Sequence, residues 1–215
     1  MKETIYTIPI NDAFDEPDGC PMCRLHSKLE NDALEYVMGA AMMEPDVRIQ
    51  TNKLGFCGTH FGRMMKMGNR LPLALVLESY LIEQRAKLEK YGGGNPAATC
   101  FVCDRKDGYM AAYYRNLIYI WQTDSAFKDK FIKAKLCFQH IGAMLDISAE
   151  HLKRKQLEEF RKAILKSAYN KLDELSPKVS AFCRSFDHRF SGQDLGDAKT
   201  AIEQTVAWLT GIKNE

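Results

Sequence analysis

The sequence has almost no surplus of charge. Thirty Lys and Arg against 28 Asp and Glu leave a formal net charge of +2, too little for a dedicated nucleic-acid binder. Its start, MKETIYTIPINDAFDEPDG, is acidic and has no apolar core of the kind a secretory signal carries. The longest uncharged apolar run, LPLALVL at 71–77, falls well short of the ~20 residues that cross a bilayer. Alternating strand patterns are missing as well, with TIYTIPI at 4–10 the one candidate. No Ser-His-Asp order, glycine-rich phosphate loop or catalytic carboxylate pair stands out. The expectation is a cytoplasmic protein without a membrane partner, with nucleic acid disfavoured and the oligomeric state open.

What is present is an ordinary globular composition, 46% hydrophobic and 27% charged over 215 residues, enough for a real core. Charge is uneven: residues 1–47 hold ten acidic and three basic side chains, which reads as a solvated surface. Seven cysteines in a reducing compartment point to metal or redox chemistry rather than to structural disulfides.

Those cysteines repeat. A shift of 80 residues lays Cys20 on Cys100, Cys23 on Cys103, Cys57 on Cys137 and His60 on His140. Each unit is a Cys-x-x-Cys, a spacer of 33 residues and a Cys-x-x-His. The surroundings match too: Gly62 falls on Gly142 and Met64 on Met144, and Leu34, Val37 and Met38 fall on Tyr114, Leu117 and Ile118.

The rest reads as helix. Leu29, Leu34, Val37, Met38 and Ala41 keep to one face after CPMC. EPDVRIQTNKLG at 44–55 reads as a polar break, then a helix starts at Cys57, and RLPLALVLESYLIEQRAKLEKY gives another. Gly92-Gly93-Gly94-Asn95-Pro96 is a linker. Leu157, Phe160, Ile164, Ala168, Leu172 and Leu175 mark a long amphipathic helix, which Ser176-Pro177 ends or restarts. A last helix near 197–212 lines Ile202, Val206 and Leu209 along one side. The expectation is an all-α fold of two pseudo-repeated helical units, each with a Cys₃His metal site, at 1–92 and 97–176, with a helical tail at 177–215 packing on them.

Cys-x-x-Cys presents two thiolates from one turn, and Cys-x-x-His at i and i+3 puts sulfur and imidazole on one helix face. Three sulfurs and one nitrogen suit tetrahedral Zn²⁺, so two zinc ions per chain are expected at Cys20, Cys23, Cys57, His60, Cys100, Cys103, Cys137 and His140. A pair of iron–sulfur clusters is the alternative. The matched spacing favours self-contained sites, Cys20/Cys23 with Cys57/His60 and Cys100/Cys103 with Cys137/His140, although the half-motifs can also cross. A helix of about 30 Å can be answered by an extended return over 43–56 of up to roughly 46 Å. With the sites closed, the expected role is a non-catalytic interaction or regulatory module with a protein partner. Iron–sulfur electron transfer and zinc-dependent nucleic-acid binding are the alternatives. A thioredoxin-like dithiol is the weaker reading of CPMC, because no βαβ pattern surrounds it.

Other features have plain explanations. His26 reads as a surface histidine, since the second repeat has Lys106 there. Cys183 with Asp187 and His188 reads as a buried cysteine beside a polar turn. Tyr109, Tyr113, Tyr114, Tyr119 and Trp121, and the methionines at 42–43 and 64–67, read as core packing.

The strings IPINDAF, GCPMC, GFCGTH and NRLPLALVLESYL, with a second CxxC and CxxH after a glycine linker, resemble a bacterial family labelled only as a domain of unknown function. That family is common in anaerobic Gram-positive lineages. The resemblance covers nearly the whole chain and implies that the eight Cys and His residues above are its metal ligands. It implies no activity.

Overall fold

The computed structural model describes residues 7–92, 99–190 and 194–211, with the side chain of Phe190 left aside. Among these residues there are ten α-helices and no strand. They are α1 (Thr7–Asp15), α2 (Pro21–Met38), α3 (Pro45–Leu54), α4 (Gly58–Lys66) and α5 (Arg70–Tyr91), followed by α6 (Phe101–Thr123), α7 (Ser125–Lys133), α8 (Phe138–His151), α9 (Arg154–Arg184) and α10 (Ala201–Thr210). The expected all-α class is what the chain adopts. Of the candidate strand at 4–10, residues 7–10 form the start of α1 and residues 4–6 lie outside the described residues. Gly92 ends α5 in the left-handed region, while Gly93, Gly94, Asn95 and Pro96 of the linker lie outside the described residues.

The chain forms two compact units that do not follow the repeat boundaries. A central unit holds His26–Ala111, and a terminal unit joins Met1–Leu25 to Ala112–Glu215. Helices α2 and α6 each begin in one unit and end in the other. The divisions expected along the sequence, 1–92, 97–176 and 177–215, therefore differ from these units, and the 177–215 tail belongs to the terminal one.

The central unit packs Leu34, Val37 and Met38 of α2 against Val47, Phe56, Met64, Leu73 and Val76, and Phe101 and Val102 of α6 join the same core. Here the sequence expectation fails at 44–55. This stretch is the helix α3, not an extended return. Pro45 occupies its first turn and Asp46 and Lys53 suit the two ends of its dipole, while Val47 and Thr51 are one turn apart and buried. Ten helical residues advance about 15 Å, less than half of the roughly 35 Å that they would span extended.

The terminal unit is built on aromatic rings. Phe14 lies 5.0 Å from Phe127, Phe131 lies 5.2 Å from Phe160, and Trp121 meets Phe160 edge-on at 5.0 Å. Helix α9 runs unbroken through Pro177, contrary to the expected stop. An internal proline costs a helix about 3 kcal/mol. Phe160, Ile164, Ala168 and Leu175 hold α9 in the core, and Glu174 pairs with Lys171 at 2.7 Å and with Lys178 at 3.0 Å, bracketing the proline. The last helix differs in its face: α10 buries Ala201 and Trp208, whereas Ile202, Val206 and Leu209 are 42–46% exposed.

Of the aromatic cluster, Tyr113, Tyr114 and Trp121 are core residues, and Tyr109 and Tyr119 are exposed. Met42 and Met64 are buried, and Met43, Met65 and Met67 are exposed.

Candidate metal centres

Each of the four half-motifs opens a helix in the same way. The carbonyls of Cys20, Cys57, Cys100 and Cys137 accept the N–H of Arg24, Phe61, Asp104 and Ile141, the residue four further on in each case. The first cysteine thus stands at the N-terminus and the second ligand-type residue lies in the first turn. Free N–H groups and the positive end of the helix dipole face the sulfurs there, an environment that favours thiolates.

The half-motifs pair across the repeats. In the terminal unit, Cys20 and Cys23 from the start of α2 meet Cys137 and His140 from the start of α8; in the central unit, Cys57 and His60 from α4 meet Cys100 and Cys103 from α6. This corrects the favoured self-contained pairing. The helical α3 is the physical reason, because the 43–56 segment does not have the reach that a return to Cys20 and Cys23 requires. All eight sequence-identified residues are brought together, four and four, and within each group the donor atoms lie within 4.8 Å of one another. His26 and Cys183 belong to neither group, and Cys183 is exposed rather than buried as expected.

The separations, 3.0–3.6 Å, approach those of ligands about one ion. In the terminal quartet, His140 Nδ1 is 3.0 Å from Cys137 Sγ, 3.3 Å from Cys23 Sγ and 3.6 Å from Cys20 Sγ, and the sulfurs of Cys23 and Cys137 are 3.5 Å apart. In the central quartet, His60 Nδ1 is 3.1 Å from Cys57, 3.2 Å from Cys100 and 3.5 Å from Cys103. Bonds of about 2.3 Å to sulfur and 2.0–2.1 Å to nitrogen, arranged tetrahedrally, separate the donors by about 3.5–3.8 Å. The sulfurs are far from the ~2.05 Å of a disulfide, and every cysteine is free. The donor set fits a soft or borderline divalent ion.

Without a metal, protons are shared inside each group. Hydrogen bonds with Cys137 and Cys23, aided by His140, hold the Cys20 thiol far below its ordinary value despite burial. Cys23, engaged with Cys137 and Cys20, is pushed far above it. Burial would lower His140, yet hydrogen bonds to Cys137 and Cys20 and the thiolate charge raise it to about 9. In the central quartet, burial and Cys100 push Cys103 up to about 12. Burial would raise Cys57 too, but the His60 backbone N–H and the neighbouring thiols bring it below its usual value. A divalent ion displaces such protons, so affinity of sites of this kind rises with pH.

Three residues that sequence reasoning did not single out shape these sites. Glu30 on α2 places Oε1 2.7 Å from His60 Nε2, which leaves Nδ1 for the sulfurs, and its other oxygen pairs with Arg63 at 2.5 Å. Burial would raise Glu30, but His60 and Arg63 hold it below the usual carboxylate range. The repeat position of Glu30 is Met110, so no repeat signal marked it. In the terminal unit, Trp208 donates Nε1–H to the carbonyl of Leu136, just before Cys137, at 3.0 Å. Gly211 ends α10 with φ +72°, and a β-carbon there would sit 2.8 Å from Cys23 Sγ and 3.2 Å from Cys137 Sγ. The end of α10 is therefore laid directly on the thiols.

Fold and sites together define an all-α protein with two Cys₃His-type groups able to hold metal ions. The chain belongs to DUF6062, a family of unknown function, whose model matches it twice, over residues 1–96 and 92–215. The double match carries the internal repeat. No curated protein and no solved structure matches the chain.

Proposed function

We propose that the protein binds two zinc ions, one on Cys20, Cys23, Cys137 and His140 and one on Cys57, His60, Cys100 and Cys103. In this reading the ions hold together a non-catalytic interaction or regulatory module. The observation that carries it is the gathering of each quartet's donor atoms within 4.8 Å. Four protein donors fill a tetrahedral shell and leave no position for substrate or activated water, as in structural zinc sites. A cluster spreads its ligands over several irons, whereas these atoms sit close enough to share one ion.

Elemental analysis and a visible spectrum on protein purified without oxygen test this reading. Two zinc per chain and no visible band are expected. Iron with sulfide and a visible band would make the protein an iron–sulfur redox protein instead, and metal-free folded protein would remove the reading altogether.

Glu30 supplies a second test. A carboxylate on the distal nitrogen of a ligand histidine fixes its tautomer and raises its basicity, and losing such a partner costs about 10–100-fold in metal affinity. Glu30→Gln is expected to weaken one ion of the two by that factor in a chelator competition and to leave the other unchanged. The depressed Glu30 also adds stability that is complete above its ordinary value of 4.5 and is lost as pH falls through the lower folded value. Acid melting curves of the Gln variant should lack that component.

A further inference from the structure

Helix α5 buries little of itself: Leu73 and Val76 face the central core. Its opposite side should be polar in a solvated helix. Instead Leu71, Ala74, Leu77, Leu81 and Leu88 are all exposed along it, with Leu71 at 70% and Leu81 at 65%. Ala74, Leu81 and Leu88 recur every seven residues, which keeps them in line on one face. From Leu71 to Leu88 the row runs about 26 Å along the helix. An exposed apolar row of that length, with Glu78 and Arg85 set into it, is the kind of surface that marks an interaction site.

The stripe is its own complement. Leu81 is the centre, with Ala74 seven residues before it and Leu88 seven after, each within about 20° of it around the helix. Two exposed charges of opposite sign flank the centre, Glu78 three residues before and Arg85 four after. Within one chain Arg85 turns to Glu89 at 2.9 Å, an exposed pair of the kind that contributes little. Parallel pairing of two α5 helices would set Glu78 against Glu78 and Arg85 against Arg85. Antiparallel pairing about a two-fold axis at Leu81 sets each Glu78 against the Arg85 of the other copy, twice over. It also packs Leu81 on Leu81 and the small Ala74 against Leu88. Closed two-fold contacts are self-complementary in this way.

We infer that the protein is a homodimer joined by an antiparallel pairing of α5 with the α5 of a second copy, centred on Leu81. The partner that this stripe fits is another copy of the same chain, because a two-fold mate matches both its charge order and its spacing. The pairing does not depend on which metal the quartets hold.

The test is sedimentation and light scattering of the full metal-loaded chain over a concentration series, with three variants. The wild-type chain is expected to be dimeric at about 50 μM, an affinity in the micromolar range. Leu81→Glu, at an exposed position, is expected to give a monomer with unchanged helicity and metal content. Glu78→Arg alone places like charges together and is expected to weaken the dimer by at least about tenfold. Combining it with Arg85→Glu restores opposite charges and is expected to restore the dimer, a rescue that only the antiparallel register predicts. A wild-type chain that stays monomeric would overturn the proposal. So would a dimer indifferent to Leu81→Glu, or a charge exchange that fails to rescue. If Leu81→Glu perturbed the fold, the charge pair, on exposed positions, would decide.

Discussion

Cys57→Ser and Cys103→Ser are expected to remove the same metal ion, although they lie in different repeats. Combining them should still leave one equivalent bound, through Cys20, Cys23, Cys137 and His140. Cys57→Ser with Cys20→Ser, two changes within one repeat, should leave none. The self-contained arrangement predicts the reverse, because Cys57 and Cys20 would then serve one ion. Elemental analysis of the two double variants separates the arrangements without any assumption about the metal's identity. The stability change should be large, since structural zinc contributes about 10–16 kcal/mol in small peptides. For Cys57→Ser the loss falls on the central unit, His26–Ala111. Local hydrogen exchange should speed up there before it does so in residues 112–211. A loss of even a few kcal/mol lowers melting by on the order of 10 °C in a unit of this size.

Gly211→Ala is expected to damage the terminal metal site out of proportion to one methyl group. The left-handed backbone alone costs a non-glycine residue about 1 kcal/mol. Gly92 ends α5 in the same conformation, with φ +69° against +72°, and a β-carbon there would meet nothing within 4 Å. Gly92→Ala therefore measures the backbone cost by itself. At Gly211 the added carbon meets two sulfurs, at 2.8 and 3.2 Å. Real β-carbons essentially never sit 2.8 Å from another heavy atom, and 3.2 Å is tight as well, so either α10 lifts or Cys23 and Cys137 shift. Overpacking of this type costs about 1–3 kcal/mol, which is about 5–150-fold in affinity if it falls on the ligands. Chelator competition should show one of the two ions weakened by that range in Gly211→Ala and neither weakened in Gly92→Ala. Equal behaviour of the two variants would mean that α10 does not bear on the site.

Which parts of this could be read along the chain follows from what a sequence encodes locally. The eight donor residues were legible because the repeat displays each of them twice, in the same order and at the same spacing. Their pairing was not, because identical spacers fit either arrangement. The deciding fact is whether 44–55 is extended or helical, and that stretch shows no apolar period. Val47 and Thr51, a hydrophobe and a hydroxyl, are its two buried residues, too faint a signal to read against Pro45 and six polar or charged neighbours. Pro177 misled in the opposite direction, because a local stop signal was outweighed by the packing of Phe160, Ile164, Ala168 and Leu175. In α10, Ile202, Val206 and Leu209 share one side as read, but which side is buried was not legible: Trp208, through its ring and its bond to Leu136, faces the core, and the aliphatic side looks outward. Glu30 looks like any solvated carboxylate until His60 is folded against it, and Gly211 like any helix-ending glycine.

The crossed pairing nests one site inside the other along the chain, and this gives the protein an order of assembly. The central donors are separated by 40 and 43 residues, and the terminal ones by 114 to 120. As the chain leaves the ribosome, the inner set is complete once Cys103 has emerged, whereas Cys20 and Cys23 must wait for His140. Closing a longer loop costs more chain entropy, though only as the logarithm of its length. That cost is smaller once the inner loop has already been drawn together. A nascent chain paused between these points would have its inner donor set complete while Cys20 and Cys23 still wait for partners, so this pair of thiols stays open to oxidation for longest, until α8 is made.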